Sequence, residues 1–427
     1  MNYSILLLTL LSPALAWGAE EGVNMANTAW MLTATALVLF MTLPGLALFY
    51  GGIVRTKNVL SIFMQCFAIT CLVSVLWFGF VYSLAFGDGG VYQAWIGGLG
   101  KSLLQGVGVE SVSNGIPETV FATFQMTFAI ITPALVVGGF AERIKFSAVL
   151  WFSALWVVLV YAPVCHWVWG GGWLAKMGFM DFAGGSVVHI NAGMAALVAA
   201  LLLGRRRGFP HTLMIPHNMT MVFTGAAMLW VGWFGFNAGS ALAANGAAGM
   251  AMLSTHMAAA AGSLAWMAME WLRHGKPSIL GIVTGMVAGL GTVTPASGHV
   301  TPVGALIIGV LAGFICYHAT QILKRVWHVD DSLDVSPVHG VGGVLGTLLT
   351  GLLAAPVLGG LGYPSGAGMA AQMWVQLIGV AATLAWSGVL TYLIFKGIDA
   401  MFGLRVSAEE ETEGLDLVFH DEKGYNL

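Results

Sequence analysis

The chain has 427 residues, 58% of them hydrophobic and only 8% charged, with a formal net charge of −3. Soluble domains carry roughly 25% charged residues, so this composition excludes a soluble globular protein. Long continuous apolar runs exclude a β-barrel, whose strands alternate over about ten residues, and leave an all-α polytopic membrane protein.

In chain order, residues 1–19 read as a cleaved signal peptide. Ile5–Leu11 is a short apolar core and Ala14-Leu15-Ala16 an A-x-A site, with no Lys or Arg in the n-region. The competing reading is one extra short span. A span needs about 20 apolar residues. Eleven stretches qualify: roughly 29–51, 59–85, 119–141, 146–169, 184–203, 217–240, 246–271, 278–296, 300–323, 335–356 and 370–397. Residues 20–401 then form one membrane domain and 402–427 a tail, whose run Glu409-Glu410-Glu411 usually means a solvated face. Residues 87–118 form the longest loop. The 58 glycines suit closely approaching helices. Cys66, Cys71, Cys165 and Cys316 all lie in apolar runs, where Cys is a small hydrophobe, so neither a disulfide nor a metal site is expected.

Charge tests the count of spans. With residues 20–28 outside and the spans alternating, Arg55, Lys57, Arg143, Lys145, Arg205–Arg207, Arg273, Lys276, Lys324, Arg325, Lys396, Arg405 and Lys423 fall on one side. Only Lys101 and Lys176 remain outside, so 14 of 16 basic residues sit on the inner side, as the positive-inside rule requires. A missed or invented span would scramble that pattern.

An internal repeat adds a second constraint. Asp181 precedes His189 by eight residues, as Asp331 precedes His339; Val188 and Val338 come just before the histidines, and Gly193 and Gly343 follow four residues on. His189 lies in the fifth span and His339 in the tenth. Five is odd, so the halves are inverted, which is a transporter architecture with a site near the midplane. The eleventh span is unpaired and wraps the outside.

Ionisable groups inside a span mark function by default. Two neutral imidazoles can share one N–H, lining a narrow pore with hydrogen-bonding groups and no fixed charge. The alternative is two separate core histidines, the role assigned to His166, His256 and His318. Asp181 stands at the entry of the fifth span, where a carboxylate caps the helix N-terminus or draws cations to the mouth. Asp331 and Asp334 hold the equivalent inner position. Phe124 and Phe128 share a helix face at spacing four; Trp169, Trp233, Phe234, Phe236 and Ser240 lie near the same outer level. They form either an interfacial aromatic belt or a cation–π cage worth about 0.5–2 kcal/mol per contact; periodicity does not decide. Trp167 and Trp173 read as belt. A metalloenzyme is disfavoured, since zinc needs three or four ligands and no H-x-x-x-H or Cys/His cluster occurs.

The segments GLALFYGG (45–52), AERIKFSAV (141–149), WGGG (169–172), DFAGGSVVHINAG (181–193), GWFGFNAGS (232–240), DDSLDVSPVHGVGG (330–343) and GLDLVFHDEKGY (414–425) together resemble the Amt/Mep/Rh ammonium transporters, the bacterial Amt branch in particular. The resemblance implies a homotrimer in the bacterial inner membrane, each protomer with eleven spans, an outside N-terminus, an inside C-terminus and its own pore. It implies an outer ammonium site of Phe124, Phe128, Trp169 and Ser240. A stacked gate of Phe128 and Phe236 would lie beneath it, then the twin histidines His189 and His339, with Trp233 lining the pore and Asp181 a buried acid beside the vestibule. The tail would dock a trimeric PII-type signalling protein; it reads His420-Asp421-Glu422 where the family pattern has Gly after the His. The implied cargo is ammonium or ammonia, and methylammonium as an analogue, with no cofactor, no nucleic acid and no enzymatic turnover. Ammonium can give up a proton and K+ cannot, so a bare charge, costly by several kcal/mol at the bilayer centre, is excluded while NH3 passes and the proton follows separately. The remaining alternatives are an electroneutral Rh-like channel for NH3 or CO2, and an ammonium sensor.

Overall fold

This computed structural model describes residues 22–363 and 366–426, and its described residues include eleven main helical segments. They are α1 Met25–Ile53, α2 Thr56–Phe86, α3 Glu118–Phe140, α4 Phe146–Lys176, α5 Gly185–Leu203, α6 Met219–Gly239, α7 Gly246–His274, α8 Ile279–Val293, α9 Pro302–Val326, α10 Ser336–Leu353 and α11 Met369–Phe402. The signal-peptide reading of residues 1–19 lies outside the described residues. Among the described residues nine of these helices are long and apolar enough to cross a membrane. Of the other two expected spans, α8 is apolar but only 15 residues long. Helix α7 has 29 residues and begins and ends on signals legible in sequence: the Asn245 side chain accepts from Ala247 and Ala248 N–H, and Gly275 turns left-handed at the end.

Several helices contain widened, π-helical turns, and two of these are the histidine segments, Gly185–Ile190 and Ser336–Val341. Such turns recur at functional sites. Helix α3 is the most enclosed wall: all but a few residues between Phe121 and Phe140 are buried. Helix α11, 34 residues long, lies across the outside of α4, α5 and α10 and leaves Trp374, Val389 and Leu393 exposed, as expected for the unpaired element.

The basic loops gather at one end. Glu142 accepts from Arg55 and Arg206, Arg206 also grips Asp330, and Arg143 donates to Ser332 and to the Asp330 carbonyl. Burial pushes the Glu142 carboxyl up, but Arg206 and Arg55 outweigh it and hold it below the ordinary value. The tail folds onto this end as two short helices, α12 Ala408–Glu413 and α13 Leu415–His420. The acidic run is therefore more than a solvated face: Glu411 is buried, pairs with Arg405 and accepts from Arg207 N–H. Asp416 accepts from Leu60 and Ser61 N–H at the start of α2. Asp421 occupies φ 53°, ψ 34°, the left-handed conformation the absent Gly would favour and that Asp tolerates.

Candidate functional site

The fifth and tenth helices cross where both are reduced to glycine. A Cβ on Gly193 would lie 2.2 Å from Gly340 Cα, and one on Gly343 would lie 3.0 Å from both Gly185 O and His189 Cβ. Each glycine, four residues past its own histidine, packs on the other histidine's segment. This reciprocal contact brings His189 and His339 together: their Nδ1 atoms are 3.1 Å apart and the rings are 5.2 Å apart at 19°. One shared N–H satisfies both nitrogens, which fixes complementary tautomers. Both rings are buried, and His189 Nε2 has no hydrogen-bond partner among the described residues.

Trp233 lies nearly parallel to His189 at 5.6 Å and is held by an indole N–H donated to Thr294 Oγ1 at 3.0 Å. Phe236, on the same helix, lies 6.0 Å from His189. Beyond it the rings continue outward: Phe236 to Phe128 at 4.3 Å, Phe128 to Phe124 at 5.0 Å, Phe128 to Trp169 at 5.7 Å and 90°. The Phe128–Phe236 pair is tilted by 33° rather than stacked in parallel. These rings converge from α3, α4 and α6, and Phe124, Phe128 and Phe236 are buried, so they are not an interfacial belt. Trp169 is only partly buried and Ser240 likewise, which leaves the outer side of the cluster accessible. Ser240 caps α6 beside Gly239, whose backbone abuts the Phe124 ring. Its hydroxyl donates to Phe236 O at 2.9 Å, and the oxygen lone pairs remain as acceptors. Phe234 points elsewhere, against His256. His166 bonds the carbonyls of Ala85 and Gln93 and stays outside the ring column.

Asp181 joins the outer rings to the histidine segment. Its carbonyl accepts the Trp169 indole N–H at 2.9 Å. Its carboxylate accepts backbone N–H groups from Gly184, Gly185, Ser186 and Val187 at 2.6–3.3 Å. It is thus a helix cap whose four donors are aimed by Gly184 at φ +121°. Burial pushes the Asp181 carboxyl above its ordinary range, and those four donors oppose the push. Asp331 is buried too but accepts one backbone N–H, from Ser336. Burial and then the neighbouring Asp334 push it up to about 6. Asp334 is not a cap; it pairs with Lys324 at 2.7 Å.

The space between the helices is small at the histidines. A chamber of about 10 Å³ lies between Trp233, Phe236, His189 and His339, walled also by Phe49, Tyr50 and Leu229. Roughly 10–15 Å³ is the least that holds one water, so a molecule of that size fits and a hydrated ion does not. Past His339 a cavity of about 440 Å³ opens at the basic end, with Arg206, His211, Lys324 and Asp334 in its wall. Sequence reasoning missed Thr294, which orients Trp233, and Phe49 and Tyr50, which wall the lumen. The last two lie in the GLALFYGG segment singled out without an assigned role; Thr294 carries no local signal. Among the described residues no cluster of His, Cys, Asp or Glu could hold a metal ion.

The family model "Ammonium Transporter Family" matches residues 29–425. An ammonium transporter of Aquifex aeolicus is 47% identical over 419 residues, covering 96% of this chain and 96% of that protein. One of Bacillus subtilis is 46% identical over 409 residues, covering 94% and 99%. Among solved structures, a protein titled Sensor Amt Protein superposes with a TM-score of 0.86 at 31% identity, covering 92% of this chain and 98% of that one. Saccharomyces cerevisiae Mep2 superposes at 0.82 with 36% identity, covering 91% and 90%.

Proposed function

The chain belongs to the ammonium transporter family, and from that premise we propose that it takes NH4+ into the outer ring cluster and delivers NH3 through the histidine pore. Phe124, Phe128, Trp169 and the Ser240 hydroxyl replace part of the ion's hydration, the rings by cation–π attraction. Phe128 and Phe236 gate the way inward. Ammonium sheds its proton above this gate, because the chamber below offers hydrogen bonds but no counter-charge and too little room for water of hydration. NH3 then passes His189 and His339, with Trp233 as wall, and leaves through the wider basic cavity. The proton crosses separately, so transport moves charge. The observation that carries this reading is the unbroken column of rings from Trp169 to the Nδ1-linked imidazoles, closing on a chamber of about 10 Å³.

The same reading places the basic end and the C-terminal tail in the cytosol of a bacterium and the N-terminus outside the inner membrane, with residues 1–19 removed. It takes residues 20–401 as the transporting domain, makes the protein a homotrimer, and assigns the tail and basic loops, residues 402–427 included, to docking of a PII-type protein. The deciding experiment applies NH4+ and then K+ pulses to purified protein in liposomes on a solid-supported membrane. Current with NH4+ and none with K+ is expected. Ammonia flux without current marks an electroneutral gas channel; neither signal favours a sensor, a reading that the superposition on a protein titled Sensor Amt Protein keeps in view. His189→Ala is expected to abolish selective current; normal NH4+ current with K+ still excluded would remove the histidine from the mechanism.

A further inference from the structure

His166 is buried, ionisable and outside the ring column. Its Nδ1 lies 2.9 Å from Ala85 O and its Nε2 lies 2.8 Å from Gln93 O. A carbonyl oxygen can only accept. A neutral imidazole has one N–H and one bare nitrogen, so it satisfies one of these oxygens and sets a lone pair against the other. Only the imidazolium, with both nitrogens donating, satisfies both, and charge-assisted bonds of this kind run about 2.7–2.9 Å.

A buried cation needs compensation, and two helix ends supply it. His166 lies in the last turn of the run Ala162–Val168, where α4 breaks ahead of Trp169–Gly172. Ala85 lies in the last turn of α2, which ends at Phe86. Carbonyls there have no donor within their own helix, and the negative end of a helix dipole stabilises a histidinium. The titratable groups on the surrounding elements are engaged elsewhere or lie apart. On α2, Tyr82 donates to Glu118, which Lys101 also holds. In the outer loop, Asp88 is exposed and accepts from Gly90 N–H. Tyr161 and Cys165 lie on α4 itself, and Lys176 is exposed beyond the break. Ahead of α5, Asp181 is saturated by its four N–H donors, and His189 faces His339. None of these bonds to His166 among the described residues.

The clamp acts on the turn that carries Trp169. Gly170 leaves no room for a Cβ between Ala85 O and His166 Nδ1. Gln93, whose carbonyl His166 holds, donates its side-chain N–H to Gly170 O at 3.0 Å, and Trp173 N–H donates to Ala94 O at 3.0 Å. The His166 carbonyl accepts from both Gly170 and Gly172 N–H at 3.0 Å. One imidazole thus joins the end of α2, the outer loop and the WGGG turn.

We propose that His166 is held as an imidazolium and is a positioning residue for Trp169, fixing the turn from which that indole reaches the outer ring cluster. The inference rests on the assignment of Trp169 to the ammonium site. When the pH rises far enough to remove one proton, one carbonyl contact is lost and the turn loosens. The outer site then holds NH4+ less well, while the chamber at His189 and His339 is untouched.

The first test reads the charge without reference to transport. Full-length protein with 15N-labelled histidine is measured in liposomes by solid-state NMR. His166 is assigned by transfer from its ring N–H groups to 13C-labelled alanine and glutamine carbonyls, which needs no variant. Both nitrogens are expected to carry protons at neutral pH; one bare nitrogen there overturns the proposal. The second test titrates NH4+ current as pH is raised, with NH4+ counted as the charged form at each pH. His166→Gln removes the charge and is expected to raise the apparent KM about fivefold, the scale of one weakened cation–π contact, with maximal current within about twofold of wild type. The wild-type KM is expected to rise with pH towards that of the variant, whose own KM stays flat. An unchanged KM in His166→Gln, or a loss of maximal current alone, overturns the positioning role. Should His166→Gln not fold, the wild-type profile decides: a KM that stays flat across the pH at which NMR shows the proton leaving overturns it. Absence of NH4+ current at every pH would overturn the ammonium reading and the role of Trp169 with it, while the 15N result would still read the charge by itself.

Discussion

Asp181 stands eight residues before His189 and Asp331 eight before His339, yet the first carboxylate accepts four backbone N–H groups and the second accepts one. The difference follows from the residues between. After Asp181 come Gly184, Gly185, Ser186 and Val187, all with N–H donors, and Gly184 takes the positive φ that aims them. After Asp331 the matching positions are Asp334, Val335, Ser336 and Pro337. Pro337 has no donor, and Asp334, left-handed at φ +61°, turns its side chain to Lys324. Asp331 Oδ1 is left buried without a hydrogen bond among the described residues. The repeat thus preserves the crossing that joins the histidines while dividing the acids: one is a saturated cap at the outer ring cluster, the other an under-bonded carboxyl at the basic end.

Removing the better-bonded acid should do the most harm. Asp181→Ala strands four donors in the interior, and buried unsatisfied groups cost about 1–3 kcal/mol each. We expect it to destabilise the protein by more than about 3 kcal/mol, seen as a large loss of melting temperature in detergent, and to loosen Trp169. Asp331→Ala strands one donor and should cost only about 1 kcal/mol; equal losses would break the comparison. The glycines sharpen it next. Gly193→Ala pushes a methyl into backbone at 2.2 Å, where nothing flexible can yield, whereas Gly343→Ala meets atoms at 3.0 Å. Overpacking of this kind costs about 1–3 kcal/mol, so Gly193→Ala should fall at the upper end and reduce NH4+ current more than Gly343→Ala.

The smallest expected effect is a pH dependence. The Asp331 carboxyl is pushed up to about 6 in the folded protein, against about 3.9 in an unfolded chain. The folded state therefore binds this proton more tightly, and stability falls as pH rises through that window. Asp331→Asn should melt higher than wild type at pH 7–8, with the gain shrinking as pH drops towards 5. A gain that is flat with pH would mean that Asp331 does not titrate in this range.

Much of the fold could be read in advance because the bilayer imposes a length and a charge rule on each helix. Every expected span is a helix within a few residues, and the basic loops meet at one end, where Arg206 joins Glu142 and Asp330. The spacing Asp-x7-His marked both histidine segments. It could not say that Asp331 is under-bonded, because donor count depends on the turn that the intervening residues adopt. Periodicity could not separate belt from cage either, since both place aromatics at one depth and only burial against α3, α4 and α6 distinguishes them.

The sequence alone determined the class, the positions of the helices and the pairing of the two histidine segments, all of which follow from local composition and from spacing along one chain. The tertiary structure alone decided that Gly193 packs on Gly340 and Gly343 on the His189 segment, that the imidazoles meet at Nδ1, that Thr294 holds Trp233, and that the chamber is only about 10 Å³. Those are distances between residues far apart in the chain, 150 positions for the two imidazoles, set by how closely two helices approach, and that closeness is a property of packing rather than of any segment read by itself.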